Sequence, residues 1–237
     1  MIHELLPSWA RAAEAFGDPP EARLHPDEEA VVARAVPSRR REFTTVRHCA
    51  ARALAGIGVP YRPLLPGERG APRWPDGVVG AMTHCRGYRA AAVARADVGA
   101  ALGVDAEPDE PLPRGVLAAV SLPRERDRIA ALASPRPGPH WDRLLFSAKE
   151  SVYKAWFPLT GRPLDFSEAE LWFDPWRGTF RAELLVPETS FGGLELRVME
   201  GRWAARDGLL VTVLALAQPD RAIRRASSAR EFTPNLL

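Results

Sequence analysis

Residues 78–107, VVGAMTHCRGYRAAAVARADVGAALGVDAE, decide the fold class. They hold three short apolar runs, VVGAMT at 78–83, AAAVAR at 90–95 and GAALGVDAE at 99–107, with ADVG as a turn, and these predict three strands in quick succession. In an extended chain, side chains at i and i+2 share a face. Asp105 and Glu107 therefore stand side by side at the end of the third strand, with Ala106 turned away. An isolated Asp-x-Glu is usually a solvated pair, but two hard oxygen donors with room for water and phosphate are also what magnesium prefers.

On the N-terminal side, DEEAVVARAV at 27–36 and EFTTVRHCAARALAG at 42–56 have helical spacing. In the second, Phe43, Val46, Ala50 and Leu54 share a face ahead of Gly56, a stop signal. PLLPGERGAPRWPDG at 63–77 is a Pro/Gly-rich connector. On the C-terminal side, PDEPLP at 108–113 reads as a linker, and a helix is predicted over 123–133 with Ser121 as its cap. SPRPGPH at 134–140 is a loop, and Asp142 opens a helix that Pro158 closes. The last third alternates like β-structure: LWF at 171–173, TFRAELLV at 179–186, LELRVMEGRWAA at 194–205 and LLVTVLALA at 209–217, with Asp207-Gly208 as the final hairpin turn. Strands and helices interleave without the regular spacing of a parallel sheet, which predicts an α+β fold with mainly antiparallel sheets. The break at 108–113 predicts two subdomains, 1–108 and 109–217, followed by a polar tail, 218–237.

A chain of 237 residues, 46% of them apolar, suffices for one large domain or two small ones. The formal net charge of +2 argues against a dedicated nucleic-acid binder. No apolar run approaches the ~20 residues that cross a bilayer. The opening MIHELLPSWARAAEAF lacks the basic-then-apolar layout of a secretory signal. Cys49 and Cys85 make no disulfide scaffold in a chain this long. Together these features predict a soluble, cytoplasmic protein that spans no membrane.

Of the 32 basic residues, two are lysines, and both fall in FSAKESVYKAW at 146–156. Ammonium and guanidinium are not equivalent toward phosphate or carboxylate. On the helix 142–157, Leu145, Ala148, Val152, Ala155 and Trp156 form an apolar arc; Phe146, Lys149, Glu150, Tyr153 and Lys154 form the adjoining one. Glu150 and Lys154 at i,i+4 can also be an ordinary surface pair worth a few tenths of a kcal/mol. Thr83-His84 follows the first strand, where a hydroxyl and an imidazole can meet a phosphate. Cys85 beside them lacks an orienting group for thiol catalysis. The run Arg39-Arg40-Arg41, with Arg47 further along, supplies forks that suit phosphate oxygens.

Thr83-His84, GVDAE at 103–107 and FSAKESVYK at 146–154 occur in the order and spacing of the 4′-phosphopantetheinyl transferases. The chain resembles the enterobactin-synthetase-component branch of that family as found in actinobacteria. RRREFTTVRHCAARAL at 39–54 and GAPRWPDGVVGAMTHC at 70–85 resemble it too, so the likeness spans about 39–166. It implies two similar α/β halves related by a pseudo-two-fold axis, with coenzyme A in the cleft between them. It further implies that Asp105, Glu107 and Glu150 hold Mg²⁺ against the coenzyme A diphosphate, that Lys149 and Tyr153 contact its phosphates, and that His84, Arg39 and Arg47 hold the 3′-phosphate and adenosine end. Thr83 is placed near the adenine, Arg69 and Arg73 on phosphate, and Lys154 either on Glu150 or on a phosphate. The implied reaction moves phosphopantetheine to a serine of an apo acyl- or peptidyl-carrier protein of a fatty-acid, polyketide or non-ribosomal peptide synthase. Adenosine 3′,5′-bisphosphate leaves, Glu150 acts as base, and a monomer suffices. The chain departs from its relatives at Ala106 and at Ala81, where others carry a side chain able to coordinate and a serine, respectively. Two other readings of the carboxylates stand beside this one: a magnesium-dependent nuclease or phosphodiesterase, and a non-catalytic coenzyme A-binding module.

Overall fold

A computed structural model of the chain describes residues 1–133 and 138–219. In order, its elements are β1 (Ala10–Phe16), α1 (Pro26–Val31), α2 (Pro37–Ala55), β2 (Val78–Cys85), β3 (Tyr88–Arg95), β4 (Gly99–Pro108), α3 (Val116–Val120), α4 (Pro123–Ala133), α5 (Trp141–Thr160), β5 (Ala169–Asp174), β6 (Thr179–Leu184), β7 (Ser190–Phe191), β8 (Leu194–Glu195), β9 (Val198–Arg206) and β10 (Leu209–Ala217). A three-stranded sheet of order β1-β3-β2 and a five-stranded sheet of order β4-β10-β9-β6-β5 are antiparallel throughout. The fold is α+β, as the interleaved pattern predicts.

The period of two along each strand sorts the side chains into layers. On β3, Ala91 and Val93 face α2 and join Cys49, Ala50, Ala53 and Leu54. Ala90, Ala92 and Ala94 face the other way and meet Leu102, Val104 and Ala106 of β4 and Val211 and Val213 of β10. Leu210 and Leu214, on the far face of β10, pack with Leu145, Ala148, Val152 and Trp156 of α5. The order is thus helix, sheet, sheet, helix, with one long helix on each outer face. Small residues on β3 let three layers close up, which favours dense dispersion contacts.

Gly103 decides where α5 sits. A Cβ there would lie 1.8 Å from the Ser151 carbonyl oxygen. The missing side chain lets α5 lie directly on β4, which brings residues 150–154 over the end of the strand that carries Asp105 and Glu107.

Several predicted boundaries move. β4, at the end of the predicted first subdomain, pairs with β10 and so belongs to the second sheet. α5 continues through Pro158 to Thr160, stopping at Gly161 with φ +64°. Helical pattern over 27–36 yields only the six residues of α1. Ser121 does not cap α4: its hydroxyl bonds the Leu117 carbonyl, and Glu125 accepts the Leu122 amide at 2.7 Å. β1 has no strand-like composition, since Ala, Arg and Glu are poor strand formers; pairing with β3 from Ala10↔Ala94 to Phe16↔Tyr88 makes it one. The tail beyond 219 and most of the loop 134–140 lie outside the described residues. Among those described, no helix is long and apolar enough to cross a membrane.

Candidate active site

The two sheets meet along β2 and β4, and a cleft of about 490 Å³ opens there between α2 and α5. Arg39, Phe43 and Arg47 of α2, Arg69 of the connector, Ala81 and His84 of β2, and Glu150, Tyr153 and Lys154 of α5 line it. A second hollow of about 240 Å³ shares Arg69, Glu150 and Tyr153 and runs on to Leu164 and Phe166. The two cavities meet at these three residues, and Lys149 lines the second.

Behind Lys154, Asp105 is 5% exposed. Its Oδ1 accepts from Lys154 Nζ at 2.6 Å and from the Thr83 hydroxyl at 3.4 Å. Oδ2 is buried with no hydrogen-bond partner. Glu107 Oε2 accepts from Arg143 at 2.9 Å. Burial pushes the Glu107 carboxyl above its ordinary value, Asp105 adds to this, and Arg143 opposes it. Glu150 is likewise raised by burial, with Lys154 pulling down and Asp105 pushing up. Buried like charges of this kind are the usual mark of a site built for chemistry.

Among the described residues, no three His, Cys, Asp or Glu side chains converge closely enough to hold a metal ion as they stand. Of the implied trio, Glu150 lines the cleft, Asp105 is close enough to act electrostatically on both Glu107 and Glu150, and Lys154 and Arg143 pair with Asp105 and Glu107. The donor set still fits a divalent ion. All three donors are carboxylates, one buried oxygen lacks a partner, and burial raises two of the three carboxyls, so a cation placed among them would be favoured.

His84 and Arg39 come together as implied, with the guanidinium donating to Nε2 at 2.6 Å. Burial first, then Arg39, lowers the imidazole's pKa and keeps it neutral, an acceptor at Nε2. Arg47 is largely buried, 3.2 Å over the Phe43 ring, with one nitrogen on the Leu64 carbonyl and its head still on the cleft wall. Arg69 sits at a loop tip with φ +51°, held by the Pro66↔Pro72 bridge. Tyr153 stacks on Phe157 at 5.8 Å.

Three implied positions change. Thr83 does not face an adenine site: its hydroxyl is buried, accepts the Ala106 amide at 2.9 Å and leans on Asp105. Arg73 lines a separate cavity with Arg62 and Trp74 and does not reach the cleft. Lys149 is the largest correction. It is 3% exposed, and its ammonium donates to Glu125 at 2.7 Å and to the Phe166 and Ala169 carbonyls at 2.7 and 2.9 Å. All three donors are used, so no proton of this ammonium is left for a phosphate. Glu150 lines both hollows, whereas Lys149 lines only the second, with its ammonium held in the buried pair.

Glu125 and Arg143 had not stood out in the sequence. Glu125 is 24 residues from its partner, with no local pattern to mark the pair. Arg143 lies seven residues, two turns, before Glu150, a spacing that puts both on one face.

A cleft lined by Arg39, Arg47, Arg69 and Lys154 beside Glu150 is of the kind that handles anions. The 4′-phosphopantetheinyl transferase N-terminal domain matches residues 27–94, and the 4′-phosphopantetheinyl transferase superfamily domain matches residues 101–197. The chain is 63% identical over 222 residues to the 4′-phosphopantetheinyl transferase Svp of Streptomyces mobaraensis, covering 92% of this chain and 90% of that one. It is 47% identical over 211 residues to PptT of Mycobacterium tuberculosis, covering 86% and 91%. Enterobactin synthase component D of Salmonella typhimurium is 30% identical over 177 residues, covering 75% and 72%. The chain belongs to the 4′-phosphopantetheinyl transferase superfamily, in the branch that contains these proteins, and is a transferase. The two domain matches meet between 94 and 101, at the start of β4, where the hydrogen-bonding passes from one sheet to the other.

Proposed function

We propose that the chain transfers phosphopantetheine from coenzyme A to the serine of an apo acyl- or peptidyl-carrier protein, with adenosine 3′,5′-bisphosphate as leaving group. The observation that carries this reading is the unpartnered Asp105 oxygen behind Lys154, in electrostatic reach of Glu107 and Glu150, where Glu150 and Lys154 line a cleft that Arg39, Arg47 and Arg69 also line. Asp105, Glu107 and Glu150 would hold magnesium, which when bound neutralises charge on the diphosphate and polarises its phosphorus.

Lys154, released from Asp105, makes the phosphate contact, with Tyr153 beside it in the same cleft. Arg39, Arg47 and Arg69 orient the nucleotide end. Glu150 accepts the serine proton as the hydroxyl oxygen attacks the β-phosphorus and the bond to the bridging oxygen breaks. Its raised pKa suits a base that must be deprotonated near neutrality yet take up a proton. Positioning and electrostatics carry most of the acceleration. All of these groups come from one chain, so a monomer suffices. Fatty-acid, polyketide, peptide and siderophore synthases all present carriers of the required kind, and coenzyme A places the reaction in the cytoplasm.

Incubating apo-carrier proteins of each kind with enzyme, coenzyme A and Mg²⁺ tests this by intact mass. A gain of one phosphopantetheine on at least one carrier is expected. No gain on any of them defeats the reading. His84→Ala tests the nucleotide end. It should raise the KM for coenzyme A about tenfold, the worth of one charge-assisted hydrogen bond, and leave the KM for 3′-dephospho-coenzyme A unchanged. Equal effects on both would remove His84 from the 3′-phosphate.

A further inference from the structure

Arg143 stands at the first turn of α5, and its guanidinium is fixed on three sides. Nε donates to the Glu110 carbonyl at 3.1 Å, one terminal nitrogen to the Pro111 carbonyl at 2.9 Å, and the other to Glu107 Oε2 at 2.9 Å. The residues that follow Glu107 are tied to the same end of the helix. The Leu112 amide donates to Asp142 at 2.8 Å, and Asp109 accepts from the His140 amide at 2.8 Å.

Lys154 makes a useful contrast. It reaches Asp105 on a four-carbon stem and holds one carboxylate oxygen and one carbonyl, so it can swing away. Arg143 cannot follow suit, because two main-chain carbonyls hold its fork in a plane. Among the described residues, Glu107 is hydrogen-bonded through Oε2 alone, which leaves Oε1 without a hydrogen bond at the end of the strand that carries Asp105.

We propose that Arg143 is a positioning residue for Glu107: it pins one carboxylate oxygen against the 109–112 connector and so presents the other to the divalent ion. This rests on the metal reading above and adds a residue outside the set that contacts metal or coenzyme A. Carboxylate ligands depend on the partners that orient them, and losing such a partner typically costs 10- to 100-fold in metal affinity. The opposing effect is direct repulsion between guanidinium and metal. Two carbonyl dipoles and the shared Glu107 carboxylate offset part of that repulsion, which leaves orientation the larger effect.

The test is Mn²⁺ binding followed by electron paramagnetic resonance, in the presence of coenzyme A and without carrier, on wild type, Arg143→Gln and Arg143→Lys. Arg143→Gln should bind Mn²⁺ 10- to 100-fold more weakly, while adenosine 3′,5′-bisphosphate, which lacks the diphosphate, binds as in wild type. Arg143→Lys keeps the charge but cannot span both carbonyls, and should remain at least tenfold weaker; it carries the test if the glutamine variant fails to fold. Mn²⁺ affinity equal to or tighter than wild type in either folded variant overturns the positioning role and leaves the metal reading intact. Wild type that binds no Mn²⁺ with coenzyme A present overturns the metal reading and this inference with it.

Discussion

Asp105→Asn is expected to lower transfer by about 10³-fold or more while shifting the melting temperature by only a few degrees. The substitution keeps shape and most hydrogen bonding and removes the charge. Asp105 Oδ2 has no protein partner and Oδ1 already serves Lys154 and Thr83, so the fold loses one ion pair to a partly buried lysine and little else. The site loses a metal ligand and, with it, charge stabilisation worth roughly 4 kcal/mol or more in the transition state, at 1.36 kcal/mol per decade. Glu107→Gln and Glu150→Gln should behave alike. Because the three carboxylates work as a unit, the triple variant should be scarcely slower than the worst single one. The measurement is initial rate of carrier modification at saturating coenzyme A, with melting curves as the fold control. Near-normal rates in all three single variants would leave the three carboxylates without a role.

Much of this site was legible because its chemistry is local. Asp105 and Glu107 share a strand face by simple alternation, and Glu150, Tyr153 and Lys154 share a helix arc by simple rotation. What resisted was everything set by partners distant in sequence. Both readings of Lys149, toward phosphate or toward the interior, satisfy helical geometry; Glu125 and the carbonyls of Phe166 and Ala169 choose between them, and none is within a turn of it. The surroundings of Thr83 are set in the same way, since its partners Asp105 and Ala106 are more than twenty residues on. β1 was invisible because Ala, Arg and Glu carry no strand preference, and only the free edge of β3 recruits it. The subdomain boundary shifted because a Pro-rich linker marks where the chain turns, while the sheet to which β4 belongs is decided by β10, a hundred residues later.

Lys149→Ala should show itself as instability before it shows as poor use of coenzyme A. The ammonium and Glu125 form a buried pair, 2% and 0% exposed in their side chains. Glu125 also accepts the Leu122 and Leu171 amides at 2.7 and 2.8 Å, tying α4, β5 and α5 together. Removing one member of such a pair strands the other charge in the interior, at a cost of about 3–5 kcal/mol. That is a large part of the 5–15 kcal/mol typical of a domain, and for a chain of this size it lowers the melting temperature by on the order of 10 °C. Lys149→Met with Glu125→Gln removes both charges, and should recover at least half of the loss because nothing ionised is left unpaired. At a temperature where Lys149→Ala is still folded, its KM for coenzyme A should lie within about threefold of wild type. The opposite pattern, a variant as stable as wild type whose KM rises tenfold or more, would mean that the ammonium leaves its cage when coenzyme A binds. The phosphate contact implied by the helix arc would then be correct, and the buried pair only a resting arrangement.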